Sequence, residues 1–257
     1  MPGSKNLRVV VFCLGFETVK VLKPLEYYKA DRAYMLCMTK AEGYNAFRKE
    51  IERQLKGKLM EYIAIETTVY KFADCLKELY KILHTEKEGG NHVYVNIFGT
   101  PAYSAAAMVA CMMEDAVPFF AGTKEYTIPD PKEYYVGGRP MGISREVYPP
   151  MELPIFSVNP PPKNLVRALL VFREKKEKKH STTYKAMIDA LEPLDLMERK
   201  EDMKGKKKPK NKVQSDKMFY RRHYIDKWIK RGWVEEDKDG GLGLTDAGVM
   251  VTEVFGG

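Results

Sequence analysis

No run in the 257 residues approaches the roughly eighteen apolar residues that a helix needs to cross a bilayer. Met1-Pro2-Gly3-Ser4-Lys5-Asn6 leads straight into an apolar strand, with none of the hydrophobic region of a secretory signal. A cytoplasmic protein with no membrane partner is expected. Cysteine is scarce, and Cys13, Cys37, Cys75 and Cys111 stand far apart among apolar neighbours, a spacing that suits buried reduced thiols rather than zinc or disulfides. His84, His92, His180 and His223 are equally scattered, so no metal site is expected. Paired carboxylates, Cys-His and Ser-His-Asp arrangements are missing too, and no residue is assigned a catalytic role.

What is present is a normal core composition, 44% hydrophobic and 30% charged, and a lopsided charge. Residues 1–160 carry 20 basic and 19 acidic side chains, a net +1, whereas residues 161–257 carry 23 and 16, a net +7. A polyanion partner for the second half follows from that split.

Five runs rich in β-branched and aromatic residues, at 7–13, 32–38, 59–65, 92–98 and 116–122, alternate with helical patterns. Between them, Tyr44, Phe47, Ile51 and Leu55 form one stripe at helical spacing, and Phe72, Leu76, Leu79, Tyr80 and Leu83 a second. The fold class expected is α/β, a Rossmann-like doubly wound parallel sheet over residues 1–128. Nine of the fifteen prolines fall in 123–162, so a connector is placed at 129–162, with extra strands at 133–136 and 153–158. Helical periodicity returns at Leu165, Val166, Leu169 and Phe172, again at 184–191, and in a third helix over about 216–231. A turn at 237–241 between short strands and a last helix opened by Thr245-Asp246 complete an α+β winged helix-turn-helix over 163–257.

On a helical wheel Tyr220, Arg221, Tyr224, Lys227 and Arg231 share one arc, and Met218, Ile225 and Ile229 a buried stripe; Trp228 lies at the edge, packing. Lys217 opens that helix. Basic and aromatic side chains on the first arc would meet phosphates and base edges of double-stranded DNA, although a solvated helix surface has the same pattern. The segment 204–212 holds six lysines in nine residues, Lys206, Lys207, Lys208, Lys210 and Lys212 among them, a repulsive run that polyanion binding would relieve. The turn adds Lys238, but Glu235, Glu236, Asp237 and Asp239 around it make a poor phosphate surface.

In the first half two loops leave strands and open helices: Cys13-Leu14-Gly15-Phe16-Glu17-Thr18 and Asn96-Ile97-Phe98-Gly99-Thr100-Pro101. Gly15 and Gly99 can take positive φ, Thr100 can cap, and Pro101 suits the first helical position. In a doubly wound sheet these loops flank the switch point where ligands bind, and helix N-termini there attract anions. The following helix, PAYSAAAMVACMM, is small enough to pack closely on the sheet or on its twin in a second copy. Neither loop is a GxGxxG or Walker motif, and plain strand-to-helix turns would look the same.

VVVFCLGFE at the first strand and VYVNIFGTPAYSAAAMVACMM at the fourth, ahead of a winged helix, resemble the CARF (CRISPR-associated Rossmann fold) winged-helix transcription regulators found in archaea. That resemblance implies a homodimer through the Rossmann domains, a cyclic oligoadenylate effector rather than a fixed cofactor, and paired winged helices on DNA. Carried over, the ligand residues are Leu14, Gly15, Phe16, Glu17, Asn96, Phe98, Gly99, Thr100 and Tyr103. Many CARF sensors carry a lysine or arginine shortly after the glycine of the second loop, whereas this chain reads Gly99-Thr100-Pro101-Ala102-Tyr103; Lys40 or Lys124 could substitute.

The reading is a ligand-responsive, dimeric DNA-binding regulator. One alternative is a ring nuclease that degrades the cyclic nucleotide, with Asn96, Thr100 and Tyr103 positioning the attack. Another is a nucleic-acid-binding protein without sequence preference.

Overall fold

The computed structural model describes residues 6–38, 42–57, 61–127, 135–198 and 212–256. The chain divides into two compact units, Met1–Asn159 and Pro160–Gly257.

The first unit runs β1 (Arg8–Cys13), α1 (Val19–Tyr27), β2 (Arg32–Cys37), α2 (Glu42–Gly57), β3 (Glu61–Glu66), α3 (Phe72–Glu88), β4 (His92–Asn96), α4 (Pro101–Glu114) and β5 (Val117–Phe120). Short strands follow: β6 (Thr123–Tyr126), β7 (Tyr135–Val136), β8 (Arg139–Pro140), β9 (Ser144–Val147) and β10 (Met151–Glu152). The main sheet has the order β10-β5-β4-β1-β2-β3, parallel except for β10, which pairs antiparallel with β5 at the edge. This is a Rossmann-like sheet, and its winding reverses between β1 and β4.

β1 is buried on both sides because its residues are apolar at every position from Val9 to Cys13. Val10 and Phe12 pack with Leu22 and Leu25 of α1 and Phe47, Ile51 and Leu55 of α2. Alternation sends Val9, Val11 and Cys13 to the other face. There α3 and α4 lie together, presenting Cys75, Leu79, Tyr103, Ala107 and Cys111, all fully buried. The small side chains of α4 therefore do pack closely within the first unit. All four cysteines are free and buried, and burial pushes the thiols of Cys13 and Cys111 up to about 12.

The proline-rich stretch carries more pairing than a connector requires. β6 pairs with β9 and β7 with β8, so that residues 139–147 form a flap on the first unit. Thr18 anchors it, its N–H donating to Met141 O (3.2 Å) and its hydroxyl to Pro140 O (3.2 Å). Residues 153–158, expected as a strand, form none; isolated bonds such as Leu153 N–H to Pro118 O (2.8 Å) hold them instead.

The second unit contains α5 (Lys163–Glu177), α6 (Tyr184–Leu191), α7 (Lys212–Tyr220), α8 (Asp226–Lys230), the hairpin of β11 (Val234–Glu236) and β12 (Leu242–Leu244), and α9 (Asp246–Phe255). α7 and α8 are one helix interrupted by a π turn at Arg221–Ile225. The unit's core gathers Leu169 and Phe172 of α5, Met187 and Leu191 of α6, and Tyr220, Tyr224, Ile225 and Trp228 around the π turn. Trp228 is fully buried, as its packing role requires, and its Nε1–H donates to Leu165 O at 3.1 Å. No helix among the described residues is long and apolar enough to cross a membrane.

Candidate functional site

α1 contains a proline in its interior, Pro24, which has no N–H to give to the carbonyl four residues back. That carbonyl, on Lys20, instead accepts from Asn96 Nδ2 at 2.9 Å. The other end of the same amide accepts from Phe98 N–H at 3.0 Å. Asn96 is 1% exposed with both of its amide atoms engaged, so its side chain ties the loop after β4 to the helix after β1.

At the switch point this tie brings a cation beside the second loop, which has none of its own. Lys20 places its ammonium 4.4 Å from the centre of the Phe98 ring. Its nearest acid is Glu17, at 3.8 Å. Thr100 caps α4, accepting from Tyr103 N–H at 3.2 Å, and its hydroxyl donates to Val69 O. Pro101 sits at the start of α4, as expected. The backbone N–H of Thr100 donates to the Cys13 sulfur, while those of Gly99 and Ala102 have no acceptor among the described residues. Lys20 and these N–H groups are what an anion needs at a helix N-terminus. Of the substitutes considered from sequence, Lys124 is paired with Glu146 at 2.8 Å, and Lys40 lies outside the described residues.

The nine ligand candidates separate by burial. Gly15, Phe16, Phe98, Gly99 and Thr100 are open to solvent to differing degrees, Phe16 at 47%. Leu14, Glu17, Asn96 and Tyr103 are buried and serve the scaffold instead. Leu14 donates its N–H to Leu36 O (2.8 Å), and the Tyr103 hydroxyl donates to Asn96 O (3.0 Å). Burial holds that hydroxyl protonated, well above its ordinary value. Glu17 reaches the flap, where its carboxylate accepts from Ser144 N–H (3.2 Å) and Oγ–H (3.1 Å). Burial raises the Glu17 pKa above the usual carboxylate range, and Lys20 and the Ser144 bonds oppose that rise.

The glycines act by size rather than by φ. Neither Gly15 nor Gly99 has positive φ. A Cβ on Gly99 would lie 2.7 Å from the Tyr103 ring and 3.0 Å from Cys13 Cβ, whereas on Gly15 it would meet only Phe98, at 3.7 Å.

In the second unit the arc drawn on the wheel does not survive. Tyr220 and Tyr224 are 1% and 5% exposed and fill the core, while Met218, assigned to the buried stripe, is 44% exposed. Tyr220, Tyr224 and Trp228 recur at the helical spacing of four and form the buried face with Ile225, so the tyrosines read as polar from sequence are the apolar stripe. Arg221 is spoken for: its two terminal nitrogens contact Glu236 at 2.8 Å each, and Nε contacts Asp226 at 2.8 Å. It fastens the helix to the hairpin. Lys212 is exposed but pairs with Glu192 at 3.3 Å; Lys217 and Lys227 are exposed. Lys206, Lys207, Lys208 and Lys210 lie outside the described residues. Arg222, Lys230 and Arg231 are exposed cations on the same helix and its end, and the first two lie off the arc centred on Tyr220 and Tyr224, which is the buried side.

A family model described as "HFX_2341_N:-like, N-terminal" matches residues 8–126. No curated protein matches the chain. Among solved structures it is similar to Can2 from Sulfobacillus thermosulfidooxidans in complex with cyclic tetra-adenylate, at 11% identity and a TM-score of 0.41, over 97% of this chain and 64% of that one. Protein VC1899 from Vibrio cholerae gives 10% identity and 0.41, over 96% and 64%. A type III CRISPR defence DNA nuclease activated by cyclic oligoadenylate gives 12% and 0.39, over 95% and 38%. The chain thus spans less than two thirds of the length of each.

Proposed function

We propose that the chain is a nucleotide-responsive DNA-binding regulator that acts as a pair of copies. The first unit takes an anionic messenger of the cyclic oligoadenylate class at the loops after β1 and β4. The second unit, read as a winged helix-turn-helix, holds duplex DNA. The observation that carries the sensing half is the Lys20 ammonium over Phe98, beside the N–H groups of Gly99 and Ala102, which have no acceptor among the described residues. The net +7 of residues 161–257 and the exposed cations of α7 and α8 support the DNA half. The motif resemblance to CARF regulators selects cyclic oligoadenylate over other anions and supports the pairing of copies.

A ligand biases such a protein only by binding two arrangements unequally. The first loop offers a route: Lys20 lies over Phe98 of the second loop, and Glu17 and Thr18 just before it grip the flap at Ser144, Pro140 and Met141. An anion that draws Lys20 away from Glu17 changes the charge balance of that grip. The ring-nuclease alternative finds less support, because Asn96, Thr100 and Tyr103 already spend their polar atoms on internal bonds.

Calorimetric titration with cyclic tetra-adenylate tests the sensor; saturable binding weakened about tenfold or more by Lys20→Met is expected. Fluorescence anisotropy with duplex DNA, repeated over a salt series, tests the effector half, and a negative slope in log affinity is expected. Absence of both signals would end the proposal.

A further inference from the structure

Between the α7–α8 helix and the start of α5 the second unit has an open cleft of about 910 Å³. Its floor is apolar, with Leu165 and Leu196. One wall carries three cations, Arg222, Lys227 and Arg231, none of which has an acid within ion-pair distance among the described residues. Arg231 lies with its guanidinium 5.3 Å from the centre of the Trp233 ring, a contact that steadies it without neutralising it. The same wall bears a stacked pair, Phe219 and His223, with ring centres 4.0 Å apart and planes 15° from parallel. His223 is exposed, and its Nδ1 lies 3.2 Å from Phe219 O, which fixes the ring's orientation. On the facing side Asp195 and Glu198 line the cleft, and neither makes an ion pair among the described residues.

Unpaired cations held close together are costly unless an anion joins them. A flat aromatic shelf beside them is a surface for a second ring. Carboxylates opposite are acceptors for exocyclic amino groups. Phosphate, planar ring and amino group occur together in a nucleotide, and the volume lies within the range of small-molecule sites, about 300–1,000 Å³. A duplex keeps its bases stacked inside and cannot lay a ring on His223, so the occupant has an unstacked base.

We propose that this cleft is a nucleotide site of the second unit, taking phosphate on Arg222, Lys227 and Arg231 and a base on His223. It goes beyond the duplex surface proposed above and does not depend on the sensor in the first unit. A free dinucleotide and a nucleotide within a single strand share this chemistry, and the test separates them.

The full chain is titrated with linear 5′-phosphorylated di-adenylate, a ten-nucleotide single strand and a duplex, in the wild type and in Arg222→Gln/Arg231→Gln, His223→Ala and His223→Phe. The substituted side chains are exposed, and circular dichroism confirms folding. Expected is saturable binding of the dinucleotide, the strand or both, weakened about tenfold or more by the double substitution and by His223→Ala, and restored by the aromatic His223→Phe. Binding of the strand alone identifies a strand as the source; binding of the dinucleotide identifies a free nucleotide. Cyclic tetra-adenylate binding by the first unit stays unchanged in all three variants, so failure of the sensor reading is read separately. The site is overturned if neither probe binds, if both bind equally well in every variant, or if the substitutions weaken the duplex alone, which would make the cleft part of the duplex surface.

Discussion

Asn96 shows how one buried side chain ties the loop after β4 to the helix after β1. Its removal in Asn96→Ala orphans Lys20 O and Phe98 N–H, and we expect a loss of about 2 kcal/mol in urea unfolding. Because Pro24 is the reason Lys20 O needs a partner, Pro24→Ala supplies the missing N–H. Asn96→Ala in that background should cost about 1 kcal/mol less, a coupling that a double-mutant cycle measures directly. Glu86 makes a second residue-scale case. It is 1% exposed; burial alone would raise its pKa, but bonds from Tyr34 (2.6 Å), Arg32 (2.7 Å) and Asn91 (2.5 Å) hold it below the ordinary value. The unfolded chain then takes up the proton first as pH falls from the ordinary glutamate value of about 4.3. The stability linked to Glu86 is full above that value and lost as pH drops through the lower folded one. Glu86→Gln should flatten the acid limb of a stability-against-pH curve; an unchanged limb would show that other carboxylates control it.

The interrupted helix of the second unit matters as an element because it supplies most of that unit's aromatic core. Tyr220 lies in the core with its hydroxyl buried and without a hydrogen-bond partner among the described residues. Tyr220→Phe should therefore stabilise the unit by about 1 kcal/mol while leaving duplex affinity unchanged. A loss of duplex affinity would return Tyr220 to the surface that the wheel assigned it. Arg221 serves the same element from outside, clamping Glu236 of β11 to the turn. The pair is half exposed, so Arg221→Ala should change global stability by no more than about 1 kcal/mol. Its effect belongs to the hairpin, where faster amide exchange over β11 and β12 is expected.

At the scale of the whole molecule the element to probe is the flap, which holds the loop after β1 and precedes the chain leading into the second unit. Gly142 makes that link possible: its φ is +92°, and a Cβ there would fall 2.1 Å from Phe16 O. Gly142→Ala should separate flap from loop. The ratio of duplex affinities with and without cyclic tetra-adenylate should then fall toward one, while each ligand still binds alone. A ratio unchanged from wild type would place the coupling elsewhere. The order of strands and helices in the first unit was legible from periodicity and punctuation, because apolar runs, Gly99, Thr100 and Pro101 act locally. So were the charge split and the buried thiols. Tertiary structure alone decided that Lys20 lies over Phe98 beside the second loop, since the Lys20 carbonyl, Asn96 and Phe98 come together only when β4 lies beside β1. It also decided that Glu17 serves the flap, and that Tyr220 and Tyr224 face inward while Arg222 and Lys227 stay outside. Local sequence determines which residues can form a helix or a turn; which side of it is buried depends on partners distant in the chain, and amphipathic tyrosines such as Tyr220 and Tyr224 fit either side until those partners are in place.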